Sequence, residues 1–133
     1  MAEKYQKRNR KESAPNYGDR VPPHNLDAER GLIASILIDG GETMQRCQSE
    51  KVGKEYFFDP KHQDIFAIAE KLSKENSGID EITVTDRLRR EGLLESAGGA
   101  TYINELTGLV ASTAHAPHWL QIVREKHFLR CLI

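Results

Sequence analysis

The residues of this sequence that could do chemistry stand apart from one another, without the spacing of a known catalytic motif. The only Gly-Lys pair, Gly53-Lys54, is followed by Glu55, whereas a phosphate-binding loop needs clustered glycines and a Lys-Ser or Lys-Thr pair at a helix start. His115 and His118 are three residues apart and have no third candidate ligand nearby, so their pattern does not predict zinc. We therefore predict neither a nucleotide-binding loop nor a metal site in this segment.

Two titratable residues lie on apolar helical stripes. Glu29 is either a catalytic carboxylate or a carboxylate at the rim of the core, paired with a cation such as Arg124. Because no second acid stands beside it, we predict the ion pair. We expect His62 to be a hydrogen-bonded core residue rather than a metal ligand or a base. No local motif supports a catalytic pair in which Cys47 is the nucleophile and a histidine is the base. No catalytic, cofactor-binding or metal-binding residue is predicted.

The charge is distributed unevenly along the chain. Residues 1–20 carry six basic and three acidic residues, a net charge of +3, which leaves −4 for the other 113 residues of a chain whose total is −1. A folded part of that sign is a poor binder of the phosphate backbone, which needs clustered Lys and Arg. The tail itself is either a weak arm for nucleic acid or a partner, or a solvated leader, and its composition favours the leader.

The two cysteines, Cys47 and Cys131, do not predict a disulfide framework. No apolar run approaches the roughly 20 residues that span a bilayer, and the charged N-terminus is unlike a signal peptide. We expect a cytosolic protein.

Apolar residues recur at helical spacing throughout, and no segment shows sustained two-residue alternation, so the sequence predicts an all-α fold. The predicted helices span 26–39, 42–49, 60–74, 84–91, 100–109 and 117–133, with an irregular or one-turn segment over 52–58. The predicted N-caps are Asn25, Asp59, Thr83 in a capping box with Asp86, and Thr113 or Ser112 for the last helix. Small residues at 28, 31 and 35 predict that another helix approaches the first one closely.

The last predicted helix is apolar on more than one face at its end, and no Gly, Asn or Pro follows to stop it. A helix that is apolar on several faces must be buried. We expect both that a second copy covers it and that the chain is a piece of something longer. The predicted self-association residues are Trp119, Ile122, Phe128, Leu129, Leu132 and Ile133.

An ordered set of short motifs runs along residues 22–133: Pro22-Pro23-His24-Asn25-Leu26-Asp27-Ala28-Glu29, Phe57-Phe58, His62 with Ile65 and Phe66, Val84-Thr85 with Leu88, Gly98-Gly99 with Tyr102-Ile103, and Ile122-Val123-Arg124-Glu125-Lys126. In this order they resemble the N-terminal domain of the bacterial replicative DNA helicase, the DnaB family. The sequence departs mildly from the family pattern, which usually has Glu at position 27, Tyr at position 58 and Pro at position 111.

The resemblance implies a compact six-helix head with a long C-terminal helix that begins a helical hairpin. Residues 1–21 would be a flexible basic tail, residues 22–112 the head, and residues 113–133 a truncated first arm. The ATPase domain, which would bind ATP and magnesium, would be absent from this segment.

The resemblance also implies a function. In this family the N-terminal domains form a collar on a hexameric ring that unwinds DNA at replication forks in the bacterial cytoplasm. The collar docks primase and, in some bacteria, a helicase loader, while the whole ring rather than this domain handles DNA. We expect Tyr102, at the edge of a buried stripe, to contact a partner. The alternative is a free-standing nucleic-acid-binding helical module that uses the basic N-terminal tail.

Overall fold

The computed structural model describes residues 21–132, which contain six α-helices and one 3-10 turn and no β-strand. The helices are α1 (Leu26–Ile38), α2 (Glu42–Ser49), α3 (Pro60–Lys74), α4 (Glu81–Arg90), α5 (Gly99–Thr107) and α6 (Ala116–Cys131), and the 3-10 turn is Lys54–Tyr56. The all-α prediction is confirmed. The tail over residues 1–20 and the side chain of Ile133 lie outside the described residues.

Helix α1 forms the centre of the fold and packs against each of the other five α-helices. Leu32, Ile33, Ala34 and Ile36 are almost fully buried, so α1 is enclosed on nearly every side. An element buried on all sides must be apolar around its whole circumference, which the LIASIL run provides. The common core therefore forms around this helix.

Helices α1 and α6 approach each other closely at Gly31. A Cβ atom at this position would lie 2.7 Å from the Trp119 ring, which is shorter than a van der Waals contact. Ala28, Gly31 and Ser35 are all buried. The predicted stripe of small residues is therefore confirmed, and the helix that uses it is α6.

The first and third helices begin where their capping residues predict. The Asn25 side chain accepts a hydrogen bond from the amide of Ala28, and the Asp59 side chain accepts one from Lys61. Pro60 follows Asp59 at the first helical position, where its missing N–H removes no helical hydrogen bond.

Two predicted caps are wrong. Helix α4 begins three residues earlier than expected because Asp80 is its N-cap, and Thr83 is the reciprocal partner of Asp80 in the capping box rather than the cap itself. Helix α6 begins at Ala116 after His115, which makes no side-chain cap. The Ser112 hydroxyl oxygen accepts a hydrogen bond instead from the amide of Ala114, in the turn before the helix.

Helix α6 joins the common core through its first half. Leu120 and Val123 are buried with the core residues of the other helices. The helix continues to Cys131, beyond these two core residues. The division at residue 113 between a head and a hairpin arm stays a prediction. Within residues 21–132, none of the helices has the length and apolar character needed to cross a lipid bilayer.

Candidate functional site

A buried chain of three side chains connects α1, α3 and α5. Nδ1 of His62 lies 2.8 Å from Oε1 of Glu29, and Nε2 of His62 lies 2.7 Å from the hydroxyl oxygen of Tyr102. His62 is fully buried and Glu29 is 2% exposed, whereas Tyr102 is half-buried and reaches the surface. The prediction that His62 is a hydrogen-bonded core residue is confirmed.

Glu29 also holds the start of α3. Its Oε2 accepts a hydrogen bond from the amide of Phe58 at 2.6 Å, and its Oε1 accepts one from the amide of Asp59 at 3.3 Å. These amides precede a helix whose N-terminal end carries partial positive charge, so a carboxylate is stabilised there. Glu29 thus links the central helix to the N-terminus of α3.

The predicted ion pair between Glu29 and Arg124 is wrong. Arg124 pairs instead with Glu50, with 3.0 Å between Nη1 and Oε1. Glu29 lies on the face of α1 that is turned toward α3, since its carboxylate bonds His62 and the amides of Phe58 and Asp59. Because the Glu29 carboxylate is buried, it is hydrogen-bonded by backbone amides and by the His62 imidazole rather than by a surface cation.

The directions of the hydrogen bonds follow from the chemistry of the three groups. An ionised carboxylate only accepts, so Nδ1 of His62 donates to Glu29. In the tautomer that carries its proton on Nδ1, Nε2 accepts from the Tyr102 hydroxyl. Burial, together with the Asp59 carboxylate, raises the pKa of the Tyr102 phenol to about 12, so the hydroxyl keeps its proton.

The Tyr102 ring is held on its other sides as well. It lies against the backbone of Gly98, where a Cβ atom would be 2.6 Å from the ring, and Gly98 has a φ of 103°, which favours glycine. The ammonium of Lys61 lies 5.4 Å from the ring centroid. Residues of α3 and of the turn before α5 therefore set the position of one half-buried aromatic ring.

This arrangement favours positioning rather than catalysis. The carboxylate, imidazole and phenol resemble the parts of an acid–base relay, but their hydrogen-bonding atoms are directed at one another, at backbone amides and, from the Tyr102 hydroxyl, at the Arg30 side chain. Catalysis would need a nucleophile or a substrate within hydrogen-bond reach of the base. What reaches the surface is the ring of Tyr102, the predicted partner contact.

The other residues considered for chemistry lie elsewhere. Burial raises the pKa of the Cys47 thiol to about 12, which disfavours the nucleophilic thiolate. His115 and His118 are both exposed, and the residues described contain no cluster of three or more potential metal ligands. The Glu55 carboxylate lies over Gly53, 2.6 Å from the position of a Cβ atom, where it would repel a phosphate.

The end of α6 presents a second surface feature. Phe128 and Leu132, one turn apart, are 62% and 68% exposed. Leu129 is half-buried, while Trp119 and Ile122 pack partly against the core of the same subunit. Of the five predicted self-association residues that the structure describes, Phe128 and Leu132 are therefore the most available to a second molecule.

The inner side of the same helix end is anchored to the head. Arg130 donates to the carbonyl oxygens of Pro23 and Tyr56, both at 2.8 Å. The His127 ring stacks on Tyr56 with centroids 4.0 Å apart. Burial, and to a lesser degree the Arg130 charge, lowers the pKa of His127. These contacts fix the direction in which the exposed face of α6 points.

Sequence reasoning placed Glu29, His62 and Tyr102 separately and missed that they form one chain. The available signal is that all three polar residues occupy, or border, apolar helical stripes. Buried polar atoms are almost always hydrogen-bonded, so such residues are expected to satisfy one another. Their sequence separations of 33 and 40 residues do not reveal which pairs meet.

Comparison with known proteins identifies the family. The profile described as "DnaB-like helicase N terminal domain" matches residues 21–125. The chain is 39% identical over 113 residues to the replicative DNA helicase DnaB of Rhodothermus marinus, covering 85% of this chain and 12% of that protein. It is 36% identical over 115 residues to DnaB of Leifsonia xyli, covering 86% of this chain and 25% of that protein.

Solved structures agree with the sequence match. The crystal structure of the N-terminal domain of DnaB helicase from Mycobacterium tuberculosis has a TM-score of 0.77 and 31% identity, covering 82% of this chain and 74% of that one. A DnaB-like replicative helicase, solved in a study of its interactions with primase, has a TM-score of 0.68 and 28% identity, covering 77% of this chain and 24% of that one. The chain thus spans a quarter or less of the length of these full-length relatives. From the profile match and the shared fold, the chain belongs to the family of DnaB-like helicase N-terminal domains.

Proposed function

We propose that this chain is the assembly and primase-docking domain of a replicative DNA helicase, the collar domain of a hexameric ring. The observation that carries the proposal is the exposed apolar pair Phe128 and Leu132 on an anchored helix end. Family membership supports it, because the relatives are named replicative DNA helicases and one solved relative is described with its primase interactions.

Self-association is the first part of the proposal. If Phe128 and Leu132, the two exposed apolar side chains at the end of α6, become buried between subunits, the gross hydrophobic gain is about 3–6 kcal/mol per subunit before association costs. The anchoring contacts of Arg130 and His127 hold the helix end in place, so little further ordering is needed when a second subunit binds. We expect dimers of the isolated chain and hexamers of a full-length protein.

Primase docking is the second part, with Tyr102 as the contact. The ring is half-buried and held in one orientation, which suits a residue that contacts both the core of its own domain and a partner. A helicase loader is a further partner in this proposal. DNA unwinding driven by ATP and magnesium belongs to a separate ATPase domain, and this segment itself carries out no turnover. We place the protein in the bacterial cytoplasm.

Solution mass tests the assembly proposal. Light scattering or sedimentation equilibrium at tens of micromolar should give a mass above that of one 15.0 kDa chain. Phe128→Asp and Leu132→Asp should each shift the equilibrium toward monomer. Ile82→Asp is the matched control, because Ile82 is an apolar residue on α4 that is 78% exposed and lies outside the α6 surface. A wild-type monomer whose mass is the same in both α6 variants would contradict the proposal.

Primase binding is tested separately by calorimetry with primase from the same organism. We expect binding that is weakened by Tyr102→Ala. The alternative nucleic-acid module is the better description if the chain does not bind primase but binds single-stranded DNA. That binding should then depend steeply on salt and be lost on deletion of residues 1–20.

A further inference from the structure

We propose that Glu29 and His62 are positioning residues that hold Tyr102 ready for docking, so that the affinity for a partner is set in part by a hydrogen bond inside the domain. This inference rests on the proposed docking function of Tyr102. It assigns a role to a buried acid–imidazole pair that no chemistry in the segment uses.

The geometry of the hydrogen-bonded side chains Glu29, His62 and Tyr102 supports this role. The hydroxyl oxygen of Tyr102 lies 2.7 Å from Nε2 of a fully buried imidazole, so its proton is directed inward. The imidazole is itself fixed, because Nδ1 donates to Glu29, and Glu29 is held by the amides of Phe58 and Asp59. The orientation of the Tyr102 ring therefore depends on a chain that ends in the backbone at the start of α3.

The surroundings of the ring leave little other freedom. Gly98 lies against one part of the ring, and the Lys61 ammonium lies over it. A tyrosine free to change rotamer loses that freedom on binding, which weakens association. A ring already held in the bound orientation avoids this loss, which is the benefit of preorganisation.

Removal of the phenolic oxygen separates positioning from contact. In Tyr102→Phe the aromatic ring remains, and the missing atom is the oxygen that bonds His62 and also the Arg30 side chain. In His62→Gln the Tyr102 side chain remains whole, but the hydrogen-bond geometry behind it changes. Both variants should bind primase about threefold to tenfold more weakly than the wild type, the range expected when one side chain must be immobilised on binding.

A double-mutant cycle and a matched control complete the experiment. The double variant Tyr102→Phe/His62→Gln should be no weaker than the weaker single variant, because His62 acts through the Tyr102 hydroxyl. Gln63→Ala is the control, because the side chain of the neighbouring Gln63 donates its hydrogen bond to the carbonyl oxygen of Phe57, at 2.7 Å, rather than to Tyr102. Gln63→Ala should retain wild-type affinity.

Nitrogen chemical shifts of the His62 ring provide a readout that needs no partner. We expect the tautomer protonated at Nδ1, and a shift of the Nε2 resonance in Tyr102→Phe. The inference is overturned if His62 carries its proton on Nε2. It is also overturned if Tyr102→Ala weakens binding to primase while Tyr102→Phe and His62→Gln bind as tightly as the wild type. A wild type that does not bind primase would instead refute the docking function itself.

Discussion

Replacement of Glu29 by leucine should be among the most destabilising single changes in this domain. The carboxylate accepts hydrogen bonds from His62 and from the amides of Phe58 and Asp59. In Glu29→Leu all three donors lose their partner while they remain inside the protein. A buried donor left unsatisfied costs about 1–3 kcal/mol, and since the two amides are only part-buried, we expect a total loss of about 3–5 kcal/mol.

Glu29→Gln provides a graded version of the same perturbation. The amide oxygen still accepts from one or two donors, but the amide NH2 group now faces another donor. We expect a loss of about 1–3 kcal/mol, between wild type and Glu29→Leu. The order of the three proteins, and not only the size of each effect, follows from the number of donors left without an acceptor.

Urea unfolding monitored by circular dichroism and by the fluorescence of Trp119 measures these losses. The midpoint for Glu29→Leu should fall by about 2 M. All variants are compared at one protein concentration, because self-association would make stability concentration-dependent. Asp27→Leu is the matched control on the same helix, since the Asp27 carboxylate is 90% exposed and pairs with Arg30 at the surface.

The reasoning is refuted if Glu29→Leu unfolds within about 1 kcal/mol of the wild type, since typical surface changes already have effects of that order. It is also refuted if Asp27→Leu is as damaging as Glu29→Leu, because the loss would then not depend on the buried hydrogen bonds.

Three further predictions concern other parts of the fold. Gly31→Val should destabilise the domain by about 1–3 kcal/mol and shift the emission of Trp119, because the new side chain overlaps the indole. Stability should fall as the pH drops below about 6.5, the ordinary pKa of histidine, because the pKa of His127 is lowered by burial in the folded state and the unfolded chain therefore binds its proton first. His127→Gln should remove that part of the pH dependence in urea titrations. Cys131 is exposed and Cys47 is buried with a raised pKa, so a thiol reagent at pH 8 should modify Cys131 rapidly and Cys47 only after unfolding, as mass spectrometry of the labelled protein can show.

Local sequence signals predicted the elements of this fold well. The apolar period, Asn25 before the first helix, and Asp59-Pro60 before the third act over one or two turns, so the sequence of a single segment contains them. Where two capping signals competed, the prediction was wrong: Thr83 has a good cap side chain, but Asp80 three residues earlier takes that position. Both residues fit the capping-box motif. Which of them is the N-cap of α4 depends on the path of the backbone before that helix.

By itself, the sequence determined the helical class, the stripe of small residues and the family, because these depend on residue type and spacing along the chain. Only the tertiary structure decided the partners of Glu29. Its position on a buried stripe is a local fact, but the choice between Arg124 and His62 depends on which helix packs against that face of α1. The hydrophobic contacts of several segments, distant in sequence, make that choice together, and it joins Glu29, His62 and Tyr102 into one chain.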